Sequence, residues 1–321
     1  MKPSKIFIIG SSPISLITAL TFAKKKFNVT VVEKENILGG GWSYQKISDF
    51  KNVELGPHYI KERNNSYKKL LSLGIPLEDL PNKVIWLKNF SEFNKYYYYY
   101  NFIKNQLNKI IGKDHGVKYV KDGSYNLIKI LETKLKNNGV NIILGCKVEE
   151  IKIENNKLTI SSNINNYFAK KCVLFSGTKI KKITINGNII NTDCEIRKYN
   201  NLIILFKKKV IPSKSYFKIL NPKLISFVGD ITPTNNSKKQ ILGLRINDVN
   251  QRQLKIENII NEISKLSNDI NSQNIVEYKF DTRFVPYRTT DQINELNKVC
   301  PDFLEFIYSA DLTNGLANIN L

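Results

Sequence analysis

Along the chain, the spacing of apolar residues switches between the period of a strand and that of a helix. Residues 5–9 (KIFII) form a short β-branched and aromatic run, the pattern of a parallel strand buried on both faces. Gly10 follows, then Ser11, Ser12, Pro13, Ile14 and Ser15. Apolar residues at Leu16, Ile17, Ala19, Leu20 and Phe22 recur at helical spacing until Lys24. Residues 29–32 (VTVV) predict a second strand, with Glu33 at its end. Farther on, Leu127, Ile128, Ile130, Leu131 and Leu135 predict a helix that stops at Asn138-Gly139. A helical stretch is also predicted around 67–73. Strands are predicted at 140–144 and 147–153, then at 157–160, 167–169 and 171–175. Four more, at 201–206, 216–219, 224–228 and 240–245, suit an antiparallel sheet, and 256–266 has the pattern of an amphipathic helix. Val228-Gly229-Asp230 reads as a loop after a strand, because Pro233 and Asn235-Asn236 follow closely.

The opening elements form a β-α-β unit with an acid about twenty residues beyond a glycine turn. In such a unit the N–H groups at the helix N-terminus attract a pyrophosphate. The acid that closes the second strand bonds the ribose hydroxyls, so Glu33 favours an unphosphorylated adenosine ribose, as in FAD or NAD. The glycine pattern G-x-G-x-x-G is reduced to Gly10, Ser12 and Ser15. All three are small, which keeps close approach possible, and Pro13 suits the first turn of a helix. An ordinary β-α-β unit without a ligand would show the same periodicity.

Composition narrows the setting. Of 321 residues, 42% are hydrophobic, which is ample for a core and unlike a disordered chain. The formal charge of +21, from 49 Lys+Arg against 28 Asp+Glu, attracts phosphate in a general way. Only six of these residues are arginine, however, and arginine is the side chain that grips phosphate and guanine with two prongs. Solvated lysines account for the charge, and no specific nucleic-acid partner is expected. Cys146, Cys172, Cys194 and Cys300 lie far apart with no C-x-x-C pair, so neither a metal site nor a disulfide framework is expected. A reducing, cytoplasmic setting is the simpler one. Lys2 and Lys5 precede an apolar stretch reaching Ala23, but Pro13 and several hydroxyl residues interrupt it, and no transmembrane segment is expected. The charge leaves peripheral contact with acidic lipid open.

Past the second strand, Glu33-Lys34 leads to Gly39-Gly40-Gly41-Trp42, and Gly56-Pro57-His58 comes next. The run E-K-x-x-x-x-G-G after a β-α-β unit resembles the entrance of the flavoprotein amine oxidase superfamily. That group includes protoporphyrinogen oxidases, phytoene desaturase-like enzymes and UDP-galactopyranose mutase. The resemblance implies a Rossmann-type α/β fold with FAD as cofactor. It implies that Gly40 and Gly41, with Trp42 beside them, let the chain pass close to the flavin phosphates. Gly56, Pro57 and His58 would lie near the flavin ring, and the G-P-H segment looks most like the mutase branch. Val148 would present backbone groups to the adenine, and Gly177 would turn the chain back to the dinucleotide. Arg283-Phe284-Val285-Pro286-Tyr287, then Asp311 and Gly315-Leu316, are similar to the superfamily's ending, in which a last helix caps the flavin phosphates. Leu321 leaves room for barely one turn of that helix.

The order of these segments implies a dinucleotide-binding domain from 1–60, 115–185 and 280–321. A discontinuous substrate domain would comprise 61–114 and 186–279, built on an antiparallel sheet plus helices. The five consecutive tyrosines at 96–100 fit either one face of a cleft or a packed strand. His58, Tyr287, Arg283 and Arg288 are the substrate-side candidates. The two arginines would either hold an anionic small-molecule substrate or pair with surface acids. Four functions stay open: an FAD-dependent oxidoreductase, a mutase-like flavoenzyme acting on a nucleotide sugar without net redox, a non-enzymatic relative that has lost its flavin, and a nucleic-acid binder.

Overall fold

The computed structural model describes residues 5–54, 58, 60–61, 65–79, 84–93, 99–100, 102–104, 106–107, 111, 117–175, 177–233, 238–247, 255–299 and 302–307. Five parallel strands build the first sheet, in the order β21 (Leu304–Ile307), β13 (Lys171–Phe175), β1 (Lys5–Ile9), β2 (Asn28–Val32) and β9 (Asn141–Ile143). Their near-continuous apolar sequences follow from cover on both faces. On one face, helix α1 (Pro13–Lys24) is buried from Pro13 to Leu20 without a break, because the sheet lies beneath it and another helix above. That second helix is α3 (Gly123–Asn137), which follows the short α2 (Asn65–Ser72) and contributes Leu127, Leu131 and Leu135 to the same core. Phe7, Ile9, Cys172 and Leu174 point to the opposite face.

There they meet a second sheet, ordered β12 (Asn166–Ala169), β11 (Lys157–Ser162), β10 (Val148–Glu154), β14 (Lys182–Ile185) and β15 (Asn188–Ile190). Alternation along β10 explains its role: Ile151 and Ile153 are buried while Lys152 faces water.

The third sheet has six strands, in the order β20 (Ile275–Tyr287), β16 (Glu195–Phe206), β19 (Gln240–Ile246), β18 (Ile225–Asp230), β17 (Tyr216–Ile219) and β7 (Ile85–Leu87). Helix α4 (Ile256–Ile263) sets Ile259 and Ile263 on its outer face. A hairpin of β3 (Tyr44–Ile47) and β4 (Phe50–Glu54) covers the inner face, where Ile47 and Val53 meet Ile203, Leu205 and Ile241. A small sheet of β5 (Ile60–Lys61), β8 (Val117–Val120) and β6 (Leu77–Asp79) completes the described strands, and α5 (Thr290–Val299) precedes β21. The chain is thus α/β, with a Rossmann-type parallel sheet and a largely antiparallel second sheet.

Four segments differ from expectation. Val228, Gly229 and Asp230 form the end of β18 rather than a loop. The strand needs glycine there, since a Cβ on Gly229 would fall 2.6 Å from Tyr216 Cδ1. The helix expected over 256–266 ends at Ile263, and one tighter turn over Ser264–Leu266 buries Leu266. Tyr99 and Tyr100 are helical and exposed rather than in a strand, and tyrosines 96–98 lie outside the described residues. Residues 280–287, grouped by sequence with the dinucleotide part, run along β20, held to β16 by a register from Glu195↔Tyr287 to Asn201↔Asp281.

Candidate dinucleotide site

The site begins where β1 stops. Gly10 adopts φ +96°, a conformation that side chains strain to reach, and its N–H donates to Val32 O at 2.8 Å. This draws the ends of β1 and β2 together. Ser12 caps α1: its hydroxyl accepts the Ser15 N–H at 3.3 Å and lies 2.8 Å from the Ser15 hydroxyl. Pro13 occupies the first turn, and no acid sits there, so the partial positive charge of the helix end stays unneutralised by its own residues.

Ser11 is the centre of the local network, and the sequence pattern did not single it out. Its N–H and its hydroxyl both donate to Glu33 Oε2, at 2.9 and 2.6 Å. Glu33 Oε1 accepts the Glu35 N–H at 3.0 Å. The carboxylate is buried (5% exposed), held at the end of β2 by three donors and with acceptor capacity left on Oε1. The Glu33 backbone is clamped as well: its N–H donates to Ile143 O, and its carbonyl accepts from Cys146. A hydrogen-bonding residue between two small ones was the available signal for Ser11.

From the other side, the Gly39 N–H reaches both the Ser11 hydroxyl (3.0 Å) and the Ser11 carbonyl (3.1 Å). Gly39 and Gly40 have φ of +122° and +54°, and a Cβ on Gly40 would lie 3.5 Å from Ser12 N. The glycine run therefore passes directly over the mouth of the first turn. Arg283 holds it there: the guanidinium donates to Gly40 O and Gly41 O, each at 3.2 Å, and to Ser43 Oγ at 2.9 Å. Asp281 steadies the same guanidinium from 2.7 Å.

Beyond this loop, Trp42 stacks on His58 with ring centroids 3.9 Å apart, and His58 Nδ1 lies 3.2 Å from Glu54 Oε2. Glu54 closes β4 and was not picked out from sequence. Gly177 sits in the turn after β13, 3.7 Å (from a built Cβ) to Pro286 O. Thr178 in that turn faces Gly10. Arg288 is 2% exposed and donates to Thr178 O at 2.9 Å and Thr192 O at 2.7 Å. Burial lowers its pKa, Cys194 being the opposing influence. Tyr287 lies under the Arg197 guanidinium, 3.4 Å from the ring centroid. Val148 is buried in the core of the second sheet, and Lys34 is exposed beside Glu35. The structure thus gathers Gly10, Ser12, Pro13, Ser15, Glu33, Gly40, Gly41 and Arg283 at one place, with Trp42 and His58 next to it. Tyr287 and Lys34 stand apart from that group. Gly56, Pro57, Asp311, Gly315 and Leu316 lie outside the described residues.

A small cleft of about 10 Å³ lies between β4, α3 and the third sheet, lined by Glu54, Tyr119, Asp122, Lys214, Tyr216 and Thr232. It has room for roughly one water. Burial, then Glu54 and Asp230, pushes the Tyr216 phenol well up. Burial and the hydrogen bond to Glu78 push the Tyr119 phenol up as well.

A parallel sheet with a glycine turn, a capped helix N-terminus and an acid at the end of the second strand is the arrangement of a Rossmann-type fold. Comparison agrees: residues 8–72 match the NAD(P)-binding Rossmann-like domain family. No curated protein matches the sequence. The whole fold is shared with solved structures. One, from Exiguobacterium and named for protoporphyrinogen oxidase, is 12% identical with a TM-score of 0.67, covering 99% of this chain and 98% of that one. A putrescine oxidase bound to putrescine gives 10% identity, a TM-score of 0.65, and 96% and 93% coverage. An oxidoreductase from Methanosarcina mazei gives 13%, 0.60, and 87% and 88%. The chain shares its fold with these solved structures. Among the described residues, no helix is long and apolar enough to cross a membrane.

Proposed function

We propose that this protein is an FAD-dependent oxidoreductase acting on a small organic substrate. The observation that carries the reading is the bracket made by Ser11. It fixes Glu33 at the end of β2 and brings Gly39–Gly41 over the N-terminus of α1, leaving a cradle beside Ser12 that a Cβ at position 40 would narrow. Gly10, Ser12, Ser15, Gly40 and Gly41 would hold the pyrophosphate, and the remaining acceptor capacity of Glu33 would hold the ribose. Bound flavin would supply the hydride acceptor. The protein's part is position and exclusion of water. Arg283 and Arg288 serve as positioning residues: Arg283 donates to Gly40 O, Gly41 O and Ser43 Oγ of the glycine loop, and Arg288 donates to Thr178 O in the turn that faces Gly10. His58, held by Trp42 and Glu54, is the side chain assigned to the substrate side.

The oxidoreductase names of the solved structures sharing this fold support the same direction. The test is the purified protein's absorbance, followed by titration with FAD and with NAD. A yellow protein, or one that takes up FAD with a flavin spectrum, is the expected result. A colourless protein that refuses FAD overturns the proposal, and one that binds only NAD moves it to a nicotinamide enzyme. If flavin binds, turnover of a UDP-sugar without an electron acceptor would replace oxidation by the mutase reaction.

A further inference from the structure

Between β7 and β8 the chain carries a helical segment whose apolar side faces water. Residues 99–100, 102–104 and 106–107 are helical, and the Ile111 N–H donates to Leu107 O at 3.1 Å, one turn on. Tyr99, Ile103, Leu107 and Ile111 recur every four residues, so they form one stripe along a helix, with Tyr100 alongside. A surface helix ordinarily turns such a stripe to the core. Here all five side chains are 56–62% exposed, while Phe102 and Gln106, off the stripe, are half-buried. A contiguous exposed apolar row marks a contact surface.

The charges around the stripe select its partner. From Phe93 to Lys113 the sequence holds four lysines and no aspartate or glutamate. Lys104, on the same helix, is exposed. We propose that this face docks on an acidic bilayer surface, with the apolar stripe entering the headgroup boundary and the lysines meeting anionic headgroups. An amphipathic helix with lysines beside an apolar face lies in the plane of the interface rather than across the bilayer. Tyrosine suits that depth, since its ring is apolar and its hydroxyl stays wet. A second copy on the same face would bring four lysines against four, and a nucleic-acid backbone has no use for a stripe of isoleucine and leucine. The segment contributes no residue to the dinucleotide cradle, so vesicle binding and flavin binding are measured separately.

Co-sedimentation of the full chain with lipid vesicles tests this. One set is phosphatidylcholine alone, and the other mixes phosphatidylcholine and phosphatidylserine at roughly two to one. The wild-type chain is expected to pellet with the mixed vesicles, to stay in solution with the neutral ones, and to be released by raised salt. Ile103→Asp and Leu107→Asp each lower the partition coefficient on the order of tenfold or more, because each drives a carboxylate into the apolar boundary. Lys104→Gln lowers it about fivefold, the weight of one lysine at an acidic surface. All three side chains are exposed, so melting temperatures without vesicles stay at the wild-type value, which separates a lost contact from a lost fold. A chain that ignores the acidic vesicles overturns the proposal, as does one that binds both sets equally. So does binding unchanged by Ile103→Asp and Leu107→Asp, which general charge alone would produce. A chain that ignores vesicles but forms a dimer broken by Leu107→Asp also overturns it, and gives the face to a second copy.

Discussion

Replacing Ser11 with alanine isolates the hydroxyl that joins the glycine turn, the end of β2 and the Gly39 loop. The hydroxyl donates to the buried Glu33 carboxylate at 2.6 Å and accepts from the Gly39 N–H at 3.0 Å. Its loss leaves no donor stranded. The Ser11 N–H still reaches Glu33 at 2.9 Å, and the Gly39 N–H still reaches the Ser11 carbonyl at 3.1 Å. What disappears is mainly one hydrogen bond to a buried charge, a contribution of about 1.5–3 kcal/mol. With about 2.1 cal/mol/K of melting entropy per residue, a chain of this length has roughly 0.7 kcal/mol/K, so Tm falls by about 2–4 °C. Differential scanning calorimetry of the wild type and Ser11→Ala, both freed of any ligand, measures it. A Tm within about half a degree of the wild type would refute the reasoning, because it would mean that Glu33 is equally well held without the hydroxyl.

Four other outcomes follow from the same geometry. Glu33→Ala removes the acceptor of the Ser11 and Glu35 N–H groups; it lowers stability, and FAD affinity falls in a flavin titration, unchanged affinity showing that the turn is not the cofactor site. Arg283→Lys cannot span Gly40 O, Gly41 O and Ser43 Oγ together, so cofactor affinity drops about tenfold in the same titration, the equivalent of about 1.4 kcal/mol. Gly229→Ala places a methyl 2.6 Å from Tyr216 and destabilises the chain by about 1–3 kcal/mol in urea unfolding, while adding Tyr216→Leu recovers part of the loss. Alkaline pH weakens the fold: burial raises the Cys172 thiol and the Tyr119 and Tyr216 phenols. The unfolded chain releases these protons from roughly pH 8.5–10 while the folded chain retains them, so stability is full below that window and falls above it. The loss is at most about 1.4 kcal/mol per pH unit and group, read from unfolding midpoints between pH 8 and 11.

Much of the architecture was legible because local patterns report local causes. The KIFII run needed cover on both faces, and it lies between α1 and the second sheet. Alternation in 147–153 needed one buried face, and β10 supplies it. Where expectation and structure part, the deciding contact lies far away in sequence. Gly229 reads as a loop residue until the ring of Tyr216 is seen against it. From sequence, Arg283 and Arg288 would either hold an anionic substrate or pair with acids. Arg283 pairs with Asp281 and also donates to the carbonyls of Gly40 and Gly41, and Arg288 donates to those of Thr178 and Thr192, partners far away in sequence.

By itself, then, the sequence determined the β-α-β unit, the small residues of its turn, the acid that ends β2 and the strand-rich second part. Each of these depends on side-chain type and spacing within a few turns of chain. Only the tertiary structure decided how they meet. It brought Gly39–Gly41 over Ser12 through one serine hydroxyl, and anchored that loop to the far end of the chain through Arg283. It also placed β20 at the edge of the third sheet, with β16 along one side. Those outcomes depend on contacts between residues separated by tens to hundreds of positions. Packing and hydrogen-bond geometry select such contacts, and no periodicity encodes them.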